Sequence, residues 1–253
     1  MDSILKIAKR ELTAYFTTPI GYVFIIAFVL FQMFFLFELN NFFDRNKADL
    51  TDFFDILPFI FLIFIPAIGM RLWSEERRTG TIEILLTLPI SITEAVIGKF
   101  LAAWAFISIS LLTTLTIVYT TVKLGSPDLG VITANYIGAI LIGGAYLSIA
   151  SFCSALTKNQ IISLIISVKI CVVFLFLGHQ SFLNIAKGFA NKIEFIGISS
   201  ESLINFVSSF SFWKYQINIK RGIIDSRDIF FFIIFIGSMI YLNIKLINAN
   251  KAK

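Results

Sequence analysis

The chain has 253 residues, of which 57% are hydrophobic and 15% charged, with 29 phenylalanines and a formal net charge of +5. Its mean hydropathy is +0.87. Soluble chains hold ~45–50% apolar residues on a count that includes glycine, so a soluble core cannot hide this surface and lipid is the natural solvent. The positive balance then reads as basic residues that flank spans and meet anionic head groups, with no nucleic-acid partner expected.

Residues 2–17 predict an amphipathic helix. At about 100° per residue, Ile4, Leu5, Ala8, Leu12, Tyr15 and Phe16 share one arc, and Asp2, Lys6, Lys9, Arg10, Thr13 and Thr17 share the other. Such a helix lies in the membrane interface. Glu11 falls beside Ile7 at the edge of the apolar arc, where a carboxylate is costly without a partner, so an ion pair is expected. Lys9, Arg10 and Glu11 are therefore its candidate polar residues. Thr18-Pro19 ends the helix.

Six apolar runs follow, roughly Ile20–Phe37, Ile56–Met70, Phe100–Val122, Val131–Leu156, Ile161–Gly178 and Ile229–Ile247. A span needs about 17–25 helical residues. The first run lacks a small-residue cleavage site after it and reads as a retained span. The second is short and holds Pro58 and Pro66; Leu72 and Trp73 extend it, with Arg71 snorkelling. The fourth is long and starts as late as Tyr136. Its Gly144, Ser148, Ser151 and Ala155 lie on one helical face, a pattern suited to close packing in lipid. Segment 179–228 mixes aromatics with Ser, Asn and Lys, and reads as interfacial or re-entrant. Asp225-Ser226-Arg227-Asp228 after Gly222 supplies a cap for the last span.

With the N-terminus inside, Lys6, Lys9, Arg10, Arg71, Arg77, Arg78, Lys99, Lys158, Lys245, Lys251 and Lys253 are cytoplasmic. The short outer loops then carry only Arg45, Lys47 and Lys123, which favours N-in and C-in. The long outer segment adds further basic residues and weakens the vote.

The charged stretch 71–99 between the second and third runs carries the functional signal. Such a polar hairpin sits in water, and its shape suits docking to a soluble partner. Glu75, Glu76, Arg77 and Arg78 precede the break at Thr79-Gly80-Thr81. Thr81 can cap a short crossing helix, Glu83 suits its dipole, and Pro89 halts it. Ser91 and Glu94 fit a capping box that launches the next helix. The competing reading of the four charges is a solvated flank with local ion pairs.

Other chemistry is thinly supplied. Cys153 and Cys171 both lie in apolar runs, and His179 is the sole histidine. A disulfide framework, a His-rich metal site and a Ser/His/Asp constellation are thereby disfavoured. Asp44, Asp49, Asp52 and Asp55 lack cation-ligand spacing and read as a solvated loop. No phosphate-binding Gly-rich loop occurs, because Gly98-Lys99 lacks the upstream glycine and the following Ser/Thr. ATP must be hydrolysed elsewhere, so the chain itself is expected to bind no cofactor. Lys169 is the one charge near the middle of a span. An intramembrane cation suggests a substrate path, a site for a substrate anion, or a titrated neutral amine; snorkelling is the alternative.

The run MRLWSEERRTGTIEILLTLPISITEAVIGKFLAAW resembles the hairpin of ABC-2 type permeases. Within that group it looks like the gliding-motility-associated permease subunit and its nitrous-oxide-reductase-maturation relatives. KRELTAYFTTPIGYV, SALTKNQ and FWKYQINIKRGIIDSRD agree, so the resemblance covers essentially the whole chain. It implies a single all-α, polytopic membrane domain over residues 1–253. That domain would have six transmembrane helices, an N-terminal interfacial helix and a cytoplasmic coupling helix. It implies that Glu75–Pro89 contacts a separate ABC ATPase subunit carrying ATP and Mg²⁺, and that a second permease copy or a related permease completes the assembly. The expected place is the bacterial cytoplasmic (inner) membrane. The expected function is the permease subunit of an ATP-driven exporter. The alternatives are a non-transporting transducer of ATPase motion to an envelope protein, and a secondary carrier, whose usual repeats and charge pairs are missing here.

Overall fold

The computed structural model describes residues 2–44, 47–82, 90–179, 182 and 208–251. Among them there is no strand. The chain order is α1 (Asp2–Thr17), α2 (Pro19–Phe34) with a π-turn at Phe35–Leu39, α3 (Thr51–Gly69), α4 (Arg71–Thr79), α5 (Ile92–Leu112), α6 (Leu115–Leu124), α7 (Leu129–Leu156), α8 (Gln160–Phe176), α9 (Phe212–Lys220) and α10 (Ser226–Lys251). Among the described residues, five helical stretches are long and apolar enough to cross a membrane: Pro19–Leu39, Thr51–Thr79, Ile92–Leu124, Leu129–Leu156 and Ser226–Ala249. The run expected as the fifth span is the shorter helix Gln160–Phe176, of 17 residues. The protein is an all-helical, multi-pass membrane protein.

Helix starts follow local chemistry. Pro19 occupies the first turn of α2, where its missing N–H costs nothing. Asp128 accepts from the Gly130 and Val131 amides and starts α7 at Leu129, earlier than Tyr136. The sequence left that start open because the polar cap lies outside the apolar run. Asn159 caps α8 in the same way. Asp225 accepts from the Arg227 amide at 2.9 Å, which launches α10.

The centre of the bundle is α7, buried on nearly every side against α3, α5, α8, α9 and α10. Lipid tails are as apolar as leucine, so helices in a bilayer associate through close packing and polar contacts. Both devices are present. A methyl at Gly144 would meet Ile236 and Trp104 at 2.9 Å, and one at Gly138 would meet Ile219 at 2.6 Å. Asn243 of α10 donates to Ser151 of α7 at 2.7 Å. Pro58 leaves the Phe54 carbonyl without its helical N–H, and Gln216 of α9 donates to that carbonyl at 3.4 Å. Gln32 of α2 donates to the adjacent Phe53 carbonyl at 2.7 Å.

Near α9 the packing is aromatic. Phe212 is fully buried, stacked on Phe174 at 5.6 Å and edge-on to Phe235 at 5.1 Å. Lys220 at the end of α9 pairs with Asp55 at 2.6 Å. The loops around Ala48 and Gly125 meet at this same end, where a methyl on Gly125 would lie 2.5 Å from the Ala48 methyl. The charged residues of α1, α4 and α5 gather elsewhere, around Lys99.

Candidate functional site

The chain turns between α3 and α4 at Met70, and a new helix start leaves amide groups without partners. Ser154 of α7 supplies them. Its hydroxyl accepts from the Trp73 and Ser74 amides at 3.0 and 2.9 Å and donates to the Met70 carbonyl at 2.7 Å. One side chain thus caps α4 from a neighbouring helix. Gly69 makes this approach possible, since a methyl there would sit 2.3 Å from the Ala150 methyl. In return, Arg77 of α4 donates to the Ala155 carbonyl in the last turn of α7. There the carbonyls lack helical partners and favour a cation. Ser154 and Arg77 lock the base of α4 to the end of α7.

A second lock joins α4 to α5 and α1. Lys99, only 4% exposed, lies 2.7 Å from Glu76 and 3.2 Å from Glu11, with the Trp73 ring 5.7 Å from its ammonium. The ion pair expected for Glu11 exists, and Arg10 adds to it at 2.8 Å. Burial alone would raise the Glu11 pKa, but Lys99 and then Arg10 outweigh it and hold the carboxyl below its usual value. Burying one ammonium between two carboxylates is viable because each charge is countered within the group. Gly98 lets α1 come close: a methyl there would meet Ile7 at 2.7 Å.

The docked face of α1 keeps Leu12, Tyr15 and Phe16 of the expected arc and differs at its edge. Ile7 is buried and Glu11 half-buried, whereas Leu5, assigned to the apolar arc, is exposed. Glu11 stands beside Ile7 at the edge of the apolar arc, as its helical position predicts, and its buried partner Lys99 draws it into the packed face. Leu72 and Trp73 extend the second apolar stretch as expected, within Thr51–Thr79; Trp73 is fully buried there, and Arg71 pairs with Glu75 at 3.0 Å.

At its far end α4 stops at Gly80, whose φ of 75° is a left-handed conformation that glycine adopts without strain. Thr79 and Thr81 hydroxyls meet at 3.0 Å across it, and Thr81 and Ile82 are helical again. Arg78, Thr79, Gly80 and Thr81 are exposed. Glu83 and Pro89 lie outside the described residues. The chain returns at Ser91, where Ser91 and Glu94 form the expected capping box at the start of α5.

The profile described as ABC-2 family transporter protein matches residues 5–228, nearly the whole chain. The chain belongs to the ABC-2 family. No curated protein is similar enough to count as a match. Membership makes this protein a permease, the membrane component of an ABC transporter, and implies association with an ABC ATPase subunit in general.

For an ABC-2 permease, the placement of the candidate residues divides them in two. Glu76 and Arg77 reach Lys99 and α7 and so hold α4 in place, whereas Glu75 pairs with Arg71 within α4 itself. Arg78, Gly80 and Thr81 form the exposed tip. Lys9 is exposed on α1, and Arg10 is exposed beside Glu11. Lys169 belongs to neither group; it lies on an exposed stripe of α8 with Ile162, Ile165 and Val173. Lys99 and Ser154 went unrecognised as functional candidates in the sequence. The signal for Lys99 was present, a lysine after a glycine at the head of an apolar run. Nothing local marked Ser154, whose role depends on a partner about 80 residues away.

Proposed function

We propose that this ABC-2 permease is the membrane subunit of an ATP-driven exporter, and that the tip of α4 with the segment up to Pro89 seats on a separate ATPase. Hydrolysis of ATP, with its Mg²⁺, belongs to that partner. The observation that carries the reading is the double lock on α4. Thr51–Gly69 has 19 residues, roughly 28 Å of helix against a hydrocarbon core of ~30 Å, so α4 beyond the Met70 turn projects past the core. A push on that projection is passed to α7 through Ser154 and Arg77, and to α5 and α1 through Lys99. A lever with rigid attachments to three other helices suits the transfer of rigid-body motion.

The finer reading places both termini and the 71–99 hairpin in the cytoplasm of a bacterium, in its inner membrane. Gln160–Phe176 also spans, as the fifth of six, and a second permease copy or a related permease faces the first. The motif likeness favours the gliding-associated and nitrous-oxide-reductase-maturation type. Orientation is tested by single-cysteine labelling after Cys153 and Cys171 are replaced. Cysteines at Asp49 and Ser126 should react from outside intact cells, and one at Thr79 only after permeabilisation. Labelling of Thr79 from outside would reverse the orientation.

Lys169 is proposed to line the substrate path between paired permeases. An exposed cation on a helix of 17 residues, bracketed by isoleucine and valine, is costly against lipid, at least ~2.5–3.5 kcal/mol at the bilayer centre. Lys169→Met should then lower transport without lowering thermal stability. Normal transport with raised stability would show that the lysine only snorkels.

A further inference from the structure

A cleft of about 610 Å³ opens between α1–α2 on one side and α3–α4 on the other, with Lys99 and Phe106 of α5 among its lining residues. Its walls divide sharply along their length. Val23, Phe24, Ala27, Ile63, Phe64 and Ala67 are apolar, and Val23 and Ile63 at the rim are 64% and 61% exposed. The other end is charged, with Arg71, Glu75, Glu76, Glu11 and Lys99. Ile63 to Arg71 covers eight helical steps, roughly 12 Å. That is close to the depth of one hydrocarbon leaflet, about half of the ~30 Å core.

We propose that this cleft holds one acyl chain of a membrane phospholipid carrying a primary ammonium, with its headgroup at Arg71 and Glu75. The volume falls within the ~300–1,000 Å³ of small-molecule sites. An apolar slot open to lipid gains ~0.8 kcal/mol for each methylene it takes from water, but inside a bilayer that term cancels between lipids. Selection therefore rests on the headgroup end.

Three carboxylates there, Glu11, Glu75 and Glu76, face three cations, with Arg10 on Glu11 and Lys99 held between Glu11 and Glu76, so a headgroup of zero net charge keeps the balance. Arg71 and Glu75, both partly exposed and, among the described residues, paired with each other by an i,i+4 contact, can turn outward at little cost, since such pairs contribute under ~1 kcal/mol. Arg71 then meets the lipid phosphate and Glu75 the lipid ammonium. One of the Glu76 oxygens is buried without a hydrogen-bond donor among the described residues, so it can accept from an incoming N–H group. A quaternary choline offers no N–H, and a glycerol headgroup leaves Glu75 without a cation once Arg71 has turned to the phosphate. Phosphatidylethanolamine satisfies both needs. The site is independent of what α4 meets at its tip. A lipid seated there wedges α1–α2 against α3–α4, beside the Glu11–Lys99–Glu76 tie that spans the same gap.

The test uses the full-length purified protein, delipidated and offered dioleoyl phosphatidylethanolamine, phosphatidylcholine or phosphatidylglycerol one at a time, with native mass spectrometry as readout. One phosphatidylethanolamine per chain should be retained at least about tenfold better than either other lipid. Ala67→Trp should abolish the retention by filling the cleft, and Ala27→Phe does the same from the opposite wall if the first variant folds poorly. Ile234→Trp, on an exposed face of α10, should leave it unchanged. Equal retention of all three lipids would overturn the proposal, as would retention that survives both filling substitutions. A disulfide formed between copies through a cysteine at Val23 would also overturn it, by showing a second copy in the cleft.

Discussion

Replacing Lys99 with methionine should lower the stability of the protein by about 3–5 kcal/mol, because it removes one partner of a buried charge group and leaves the others uncompensated. Glu76 loses its contact at 2.7 Å and Glu11 its contact at 3.2 Å, while only Glu11 keeps Arg10. The loss is separable from simple loss of packing. Adding Glu11→Gln and Glu76→Gln to Lys99→Met removes the stranded charges as well, and should recover much of the stability. Thermal unfolding of the wild type, the single and the triple variant in one lipid nanodisc composition measures this; a triple variant no better than the single one would contradict the charge explanation. Acid works on the same group. The folded Glu11 carboxyl titrates below its ordinary value, so its stabilisation is complete above that ordinary value and is lost as pH falls through the lowered one. Lys99→Met should remove this acid-dependent component.

Gly69→Ala should cost about 1–3 kcal/mol, a large effect for a single methyl group. The added carbon would lie 2.3 Å from the Ala150 methyl, so α3 and α7 must separate. Separation would also pull Ser154 away from the two amides and the carbonyl that it serves at the Met70 turn. Ala150→Gly opens the facing position and should recover most of the loss, giving a coupling energy well outside the ~0.3–0.5 kcal/mol expected of independent sites. Additive effects in a double-mutant cycle would mean that the helices accommodate the methyl group in another way.

What was legible in the sequence was whatever depends on short range. The α1 boundary follows from period and Pro19, the α5 start from Ser91 and Glu94, and the spans from runs of apolar residues. The stretch Glu75 to Arg78 was visible as charge, but its division into inward anchors and an outward tip was not. That division is set by Lys99 and by the end of α7, which reach α4 only through the tertiary fold. The same holds for Ser154 and Gln216. Pro58 does announce a free carbonyl at Phe54, but not that a glutamine from α9 will answer it. The short fifth run marks another limit, since 17 residues stand at the lower bound for a span. Composition gives the length of such a helix without its tilt or its neighbours.

The central claim is that α4 and the segment after it transmit the work of a separate ATPase to the membrane helices. ATP hydrolysis by the purified permease–ATPase complex, compared between the wild type and Glu83→Lys, tests it most directly. The account predicts that the reversed charge uncouples or dissociates the ATPase and lowers hydrolysis, while the permease keeps its thermal stability. Unchanged complex yield together with unchanged hydrolysis would contradict it.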